Sequence, residues 1–309
     1  MAARRSNRPR SRRFDDDGWE PDRTVERDPL DPTRDVAGGH DAIDDHTDEP
    51  AWSTYRDATK GPDPVPAWVV TDPRAIDTDL GVMKSGKEAN VSLLRRELDV
   101  DGEPVHGCLA AVKRYRSAEH RMFHRDAGYL EGRRIRKSRE MRAITTRTDF
   151  GKELIAQQWA IAEFAVLSRL WSAGAAVPYP IQLFGTEMMM EFIGSADGVA
   201  APRLAHVRPT RTEGQSLYRQ LAEALVAVAD AGYAHGDLSA YNVLVHDGRL
   251  VLIDLPQAVD LVGNPQGFTY LRRDCDNICS WFVARGVPGV DANDLYDELI
   301  RRVPGLASH

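Results

Sequence analysis

The apolar residues of this chain follow two spacings: steps of three and four in some stretches, short continuous runs in others. Ile155, Trp159, Ala162, Val166 and Leu170 recur at helical steps, which predicts a helix from Asp149 to about Trp171 with one apolar stripe. Asp149 is placed to cap that helix and Gly174 to end it. Glu163 sits at the margin of the stripe, next to Ala162, and faces partly inward. A second helix carries Leu217, Leu221, Leu225 and Val228 on one face. Thr212-Glu213-Gly214-Gln215 has the form of a capping box at its start, and Gly232 stands where a C-terminal cap is wanted. From Arg272 onward the spacing is helical again, anchored by Ile278, Trp281, Phe282 and later Leu295, Leu299 and Ile300.

The runs predict strands. Val82-Met83 and Val91-Ser92-Leu93-Leu94 read as two short strands joined by the small polar loop Lys84 to Asn90. Asp101-Gly102 marks a turn, and Leu109-Ala110-Ala111-Val112-Lys113 is a buried strand ending in a charge. Val177-Pro178-Tyr179-Pro180 is a rigid linker. Ile181 to Phe184 and Glu187 to Ile193 then pair around Gly185-Thr186. Gly194 to Pro209, rich in Gly, Ala, Pro and Ser, suits a hinge between two lobes. Asp247-Gly248 turns Val243 to His246 back onto Leu250 to Ile253 as a hairpin.

Composition adds a boundary. Six arginines fall within the first thirteen residues, and Asp and Glu dominate from Asp15 to Glu49. Such a segment buries too little surface to offset its ordering entropy, so residues 1–66 are expected to be a disordered charged tail. Residues 67–193 then form an N-terminal lobe and 194–309 a C-terminal lobe, with a basic insertion at 114–148 that is densest at Arg133-Arg134-Ile135-Arg136-Lys137. The arginines suit RNA or another anionic surface as well as plain solvation. Of the 309 residues 42% are hydrophobic and 28% charged, which is ordinary for a globular protein with a sizeable core. No apolar run spans a bilayer and no signal core opens the chain, so a cytoplasmic protein with no membrane partner is expected. Cys108, Cys275 and Cys279 are too few for a disulfide framework, and no CxxC pair suggests zinc.

The chemistry concentrates in His235-Gly236-Asp237-Leu238-Ser239-Ala240-Tyr241-Asn242 and in Leu250-Val251-Leu252-Ile253-Asp254. Phosphoryl transfer from ATP needs a cation on the phosphates, a bridging Mg2+ and a base near the acceptor hydroxyl. Magnesium takes hard oxygen ligands and keeps several waters, so one carboxylate and one amide suffice, and Asp254 and Asn242 fit that pair. Asp237 is then free to orient and deprotonate the nucleophile. Lys113 reaches the phosphates if Glu163 holds it. The loop from Ser85 to Val91 is neither GxxxxGK[ST] nor GxGxxG, yet its glycine lets amides approach a phosphate.

Ser85-Gly86-Lys87-Glu88-Ala89-Asn90-Val91, Ala111-Val112-Lys113, Trp159 to Phe164, Met190 to Gly194, His235 to Asn242, Ile253 to Val259 and Leu271 to Ile278 resemble, in unbroken order, a RIO-type atypical protein kinase of the KEANV-loop subfamily. That resemblance implies an α+β, two-lobed, protein-kinase-like fold, trimmed of the activation loop and the peptide-substrate helices. It implies that Ser85, Gly86, Lys87, Glu88, Ala89 and Val91 cover the nucleotide, and that Lys113 with Glu163 position the phosphates. Glu191 and Ile193 would meet adenine through backbone groups. Asp237 would be the proton acceptor, with Asn242 and Asp254 as ligands to Mg2+ or Mn2+. Asp254 would also be a candidate aspartyl-phosphate site. The implied substrates are ATP and protein serines, the chain's own included, and the implied partners are RNA or ribosomal particles, with ATP turnover acting as an assembly switch. The departures are Leu255-Pro256 before Gln257 and the unusually arginine-rich insertion. A small-molecule phosphotransferase of the aminoglycoside or choline kinase type also shows HGDxxxxN. It would need a larger acceptor-binding region than the about 55 residues that follow Asp254.

Overall fold

The computed structural model describes residues 51–86, 89–101, 103–116, 149–255 and 258–305. The strands in chain order are β1 (Ala51–Trp52), β2 (Thr59–Lys60), β3 (Ile76–Ser85), β4 (Ala89–Val100), β5 (Glu103–Tyr115), β6 (Pro180–Phe184), β7 (Glu187–Glu191), β8 (Tyr233–Ala234), β9 (Val243–His246), β10 (Arg249–Leu252) and β11 (Val259–Asp260). The helices are α1 (Asp149–Ser172), α2 (Arg211–Asp230), α3 (Gly267–Val283) and α4 (Ala292–Arg302). The fold is α+β with two lobes: an antiparallel sheet carrying α1, and a helical lobe carrying two small β-ribbons.

Among the described residues the first lobe's sheet has the order β1-β3-β4-β5-β7-β6-β2. β3 and β4 are far longer than the short strands expected, and some of their charged residues are paired rather than solvated: Arg96 with Asp77, and Asp79 with Arg114 of β5. Arg96, fully buried on β4, donates through Nε and Nη2 to the two oxygens of Asp77 at 2.7 and 2.8 Å, and through Nη1 to Gln182 Oε1 at 2.9 Å. A bidentate pair like this satisfies a charge that burial would otherwise make costly. It ties β3, β4 and β6 together, which simple alternation could not reveal.

The proposed tail boundary needs correction. Residues 51–66 belong to the lobe: β1 pairs with β3 and β2 with β6. Tyr55 is buried, Gln182 Nε2 donates to Thr54 Oγ1 at 2.7 Å, and Tyr179 Oη donates to the Pro62 carbonyl at 3.0 Å. Residues 1–50 lie outside the described residues. The basic insertion also starts later than expected, since Arg114 and Tyr115 complete β5; residues 117–148 lie outside the described residues.

The two faces of the sheet bury different clusters, as strand alternation requires. Ala110 and Val112 pack with Leu94, Ile181, Met189, Tyr55 and Val69 on one side. Tyr115 and Met188 point the other way, into the core that α1 shares with the second lobe. Lys113 lies two residues from Tyr115 and therefore faces α1. On α1 the buried positions are Ala156, Ala160, Ala162, Glu163, Phe164, Leu167 and Leu170. Ala162 and Leu170 belong to the expected stripe, Trp159 and Val166 are only partly buried, and Glu163 lies inside the buried face rather than at its margin.

In the second lobe α2 buries Leu217, Leu221, Leu225 and Val228 as expected. Its capping box begins earlier, at Thr210, whose hydroxyl accepts from the Glu213 amide while the Glu213 carboxylate accepts from the Thr210 amide. The helical stretch expected from Arg272 starts at Gly267 and divides into α3 and α4. The hairpin of β9 and β10 turns at Asp247 and Gly248, both with positive φ (50° and 73°), as a tight two-residue turn demands. Gln220 of α2 holds it by donating to the Gly248 carbonyl and accepting from the Leu250 amide. Among the described residues no helix is long and apolar enough to cross a membrane, and the three cysteines are free.

Candidate phosphoryl-transfer site

The segment after α2 is pinned from below. β8 leads into His235, which is buried; its Nε2 lies 3.0 Å from the Ile253 carbonyl, the residue before Asp254. The next turn is fixed by Asp274 of α3, buried to 1% exposure, whose two oxygens accept the amides of Gly236 (2.7 Å) and Leu238 (2.8 Å). Those amides flank Asp237, so the loop's orientation is set by a carboxylate beneath it. Burial pushes the Asp274 carboxyl up, against the two amide hydrogen bonds and the charges of His235 and Arg273 that pull it down. Arg273 of α3 donates to the Gly236 carbonyl, and its guanidinium comes within 4.0 Å of an Asp237 oxygen. Asp237 itself is 60% exposed and faces the cleft mouth.

Asn242 closes a short 3-10 turn at Ala240–Asn242 and donates through Nδ2 to the Asp237 carbonyl at 2.8 Å. Its own carbonyl accepts the Ile253 amide at 3.0 Å, which sets Asn242 beside Asp254. Asp254 follows the end of β10 with φ of +64°, a left-handed conformation that Asp tolerates better than most residues. Asp237, Asn242 and Asp254 are thereby gathered at one edge of the hairpin.

Across the cleft, Lys113 Nζ lies 2.8 Å from both oxygens of Glu163 and 4.0 Å from Asp254 Oδ1. Lys84 Nζ approaches Asp254 Oδ2 at 3.6 Å. Ser85 ends β3 and Gly86 follows it, its amide donating to the Ala89 carbonyl at the start of β4 at 3.0 Å. A Cβ on Gly86 would sit 3.0 Å from that carbonyl, so the position has little room for a side chain. Ser85 Oγ donates to Asn90 Oδ1 at 2.9 Å, and Arg116 donates to both. Val91 lies opposite Lys113 in the β4–β5 ladder. Lys87, Glu88 and Gln257 lie outside the described residues.

The apolar run predicts a strand as far as Ile193; pairing stops at Glu191. The Glu191 amide donates to the Tyr179 carbonyl at 2.8 Å, and the Glu191 carboxylate accepts the Tyr179 amide at 3.0 Å. Burial pushes that carboxyl up. The Ile193 carbonyl accepts from the Ala201 amide. Both residues therefore lie at the lobe junction, beside the composition change read as a hinge.

The donor set can be tested against a divalent cation. No group of three or more His, Cys, Asp or Glu suited to a metal occurs among the described residues. What the cleft offers is the Asp254 carboxylate and the Asn242 amide oxygen, freed because the amide nitrogen is spent on Asp237. Few protein oxygens, completed by phosphate and water, suit Mg2+ and do not suit an all-protein cage. The residues fit that ion.

Four residues of this site were not assigned roles from sequence: Lys84, Arg116, Asp274 and Arg273. Asp274 left a readable signal, since it shares an apolar face with Leu271, Cys275 and Ile278 at helical spacing, an odd place for an unpaired acid.

Comparison with known proteins places the chain in context. The RIO domain family model matches residues 103–295, a range holding Lys113, Glu163, Asp237, Asn242 and Asp254. The RIO-type serine/threonine-protein kinase Rio1 of Haloferax volcanii is 37% identical over 223 residues, 72% of this chain and 69% of that protein. The serine/threonine-protein kinase RIO1 of Homo sapiens is 29% identical over 226 residues, which is 72% of this chain but 37% of the human protein. The match to the Caenorhabditis elegans RIO1 kinase spans 28% of that protein. Among solved structures, the Rio2 kinase–ADP/Mg2+–phosphoaspartate complex of Chaetomium thermophilum superposes with a TM-score of 0.49 at 20% identity, covering 71% of this chain and 62% of that one.

Proposed function

The chain belongs to the RIO domain family, and from that premise we propose that it is an ATP-dependent serine/threonine protein kinase whose reaction runs in the cleft between Lys113 and Asp237. The observation that carries this reading is the convergence on Asp254 of Lys113, fixed by Glu163, from one lobe, and the Asp237–Asn242 turn from the other.

The work of the residues follows from their settings. Lys113, fixed by two oxygens of Glu163, binds phosphate oxygens as a positioned point charge. The Ser85–Gly86 segment, tied by Asn90 and Arg116, covers the phosphates, and the backbone at Glu191 and Ile193 receives the adenine. Asp237 orients the acceptor hydroxyl and takes its proton as the phosphorus–oxygen bond forms. Asn242 and Asp254 would hold Mg2+, which when bound offsets the phosphate charge. Asp254 is the carboxylate on which a phosphoryl group would rest if ATP turned over without an acceptor. Protein serines, those of this chain included, are the substrates in this reading. A small-molecule phosphotransferase is disfavoured by the family match.

The test is incubation with γ-labelled ATP and magnesium, an added protein, and in parallel choline or an aminoglycoside. Label on serine or threonine, of this chain or the added protein, supports the reading. Label on the small molecule alone would overturn it.

A further inference from the structure

Lys84 has no part in the reading above, yet the strand geometry aims it into the cleft. In the sheet register Lys84 pairs with Val91 and Val91 pairs with Lys113, so the three residues form one row across β3, β4 and β5. Paired positions in antiparallel strands project to the same face. That face is the one on which Lys113 meets Glu163 and Asp254.

Two register shifts lie in β3 ahead of Lys84, one between Asp79 and Val82 and one just before Lys84, and the second fixes its pairing. Val82 pairs with Ser92, whereas Lys84 pairs with Val91, so β3 carries an extra residue at Met83. An inserted residue of this kind re-aims the side chains after it. Without it Met83 would oppose Val91 and Lys84 would fall on the other face. The outcome is a carboxylate gripped from two sides, with Lys113 at Oδ1 (4.0 Å) and Lys84 at Oδ2 (3.6 Å).

The two lysines differ in their surroundings. Lys113 is 12% exposed and fixed by both oxygens of Glu163. Lys84 is 52% exposed, at the mouth, on the strand that ends at Ser85. A cation held by the Asp254 oxygens would leave the Lys84 ammonium free for an anion lying against that carboxylate. With Lys113 taking the inner phosphates, the anion left for Lys84 is the outermost one.

We propose that Lys84 is a further phosphate-positioning residue that engages the terminal phosphoryl group and so distinguishes a nucleoside triphosphate from a diphosphate. The proposal rests on the cleft being a nucleotide site. Its test can separate the failure of either claim.

The full chain and its Lys84→Gln and Lys84→Arg variants would be titrated calorimetrically with Mg2+ and either ADP or the non-hydrolysable β,γ-imido analogue of ATP. Lys84→Gln is expected to weaken the triphosphate analogue about tenfold or more, a free-energy change of about 1.4 kcal/mol, while ADP affinity stays within about twofold. Lys84→Arg, which keeps the charge, should recover most of the loss. Equal weakening of both nucleotides, or of neither, would overturn the role assigned to Lys84. A wild-type chain that binds neither nucleotide would overturn the nucleotide site itself. Because Lys84 is half exposed, thermal unfolding of the variants is expected to match wild type, so a folding defect cannot imitate the result.

Discussion

Lys113 meets Glu163 with its ammonium 2.8 Å from both carboxylate oxygens, joining β5 to α1 in the core of the first lobe. Both side chains are nearly buried, at 12% and 7% exposure, so each satisfies a charge that the other would otherwise leave stranded. Lys113→Met and Glu163→Gln should each lower stability, and the double variant should lose less than the sum. A coupling of roughly 0.5–3 kcal/mol in a denaturant double-mutant cycle is expected. Strict additivity would show that the two residues do not support one another.

Asp274 offers a separate handle on the loop that carries Asp237. An asparagine there has one acceptor oxygen for the amides of Gly236 and Leu238, which now bond to two. Asp274→Asn should cost about 1–3 kcal/mol, the penalty for a buried donor left unpaired. It should also lower kcat with nucleotide affinity retained, since the residue holds the Asp237 loop from beneath. Parallel denaturant unfolding, steady-state kinetics and nucleotide titration check both halves.

Glu191 gives a pH signature. Burial raises its carboxyl in the folded chain. Its contribution to stability is therefore fully present below the unfolded value of about 4.3 and is lost as pH rises through the folded value. Glu191→Gln removes that dependence while its amide oxygen still accepts the Tyr179 amide. The melting temperature of the variant minus that of wild type should rise between acid and neutral pH. A flat or falling difference would contradict the assignment.

Gly61 tests the reassigned boundary at residues 51–66. Its amide donates to the Ile181 carbonyl at 3.1 Å, and a Cβ there would lie 1.8 Å from the Pro180 carbonyl. Gly61→Ala should destabilise the lobe by about 1–3 kcal/mol, as overpacking does. A thermal melt like wild type would return this segment to the tail.

The helices, the hairpin and the Asp237, Asn242 and Asp254 set were legible because local spacing and turn chemistry specify them. The apolar face of α2 and the Asp247–Gly248 turn needed no distant information. What local reading could not supply was pairing across long sequence separations. Arg96 reaches Gln182 across 86 residues, and Thr54 reaches Gln182 across 128. Residues 51–66 looked like tail because their composition is polar and proline-rich, and only the sheet they join gives them a place. The sequence names Lys113 as the partner of Glu163, but the apolar spacing alone puts Glu163 at the margin of α1. The stripe counts only apolar residues, and the buried face is also set by the sheet packed against it. Lys84 is hidden for another reason: two register shifts in β3, between Asp79 and Val82 and at Met83, set its pairing with Val91.

In the proposed function Asp237 accepts the proton of a protein hydroxyl in this cleft. The direct measurement is a single-turnover assay of Asp237→Asn against wild type, following transfer of the γ-phosphoryl group to protein serine or threonine, with nucleotide affinity measured on the same samples. Transfer is expected to fall about 100-fold or more, with nucleotide affinity within about threefold, a shift of under 1 kcal/mol. A variant that transfers at the wild-type rate would contradict the claim.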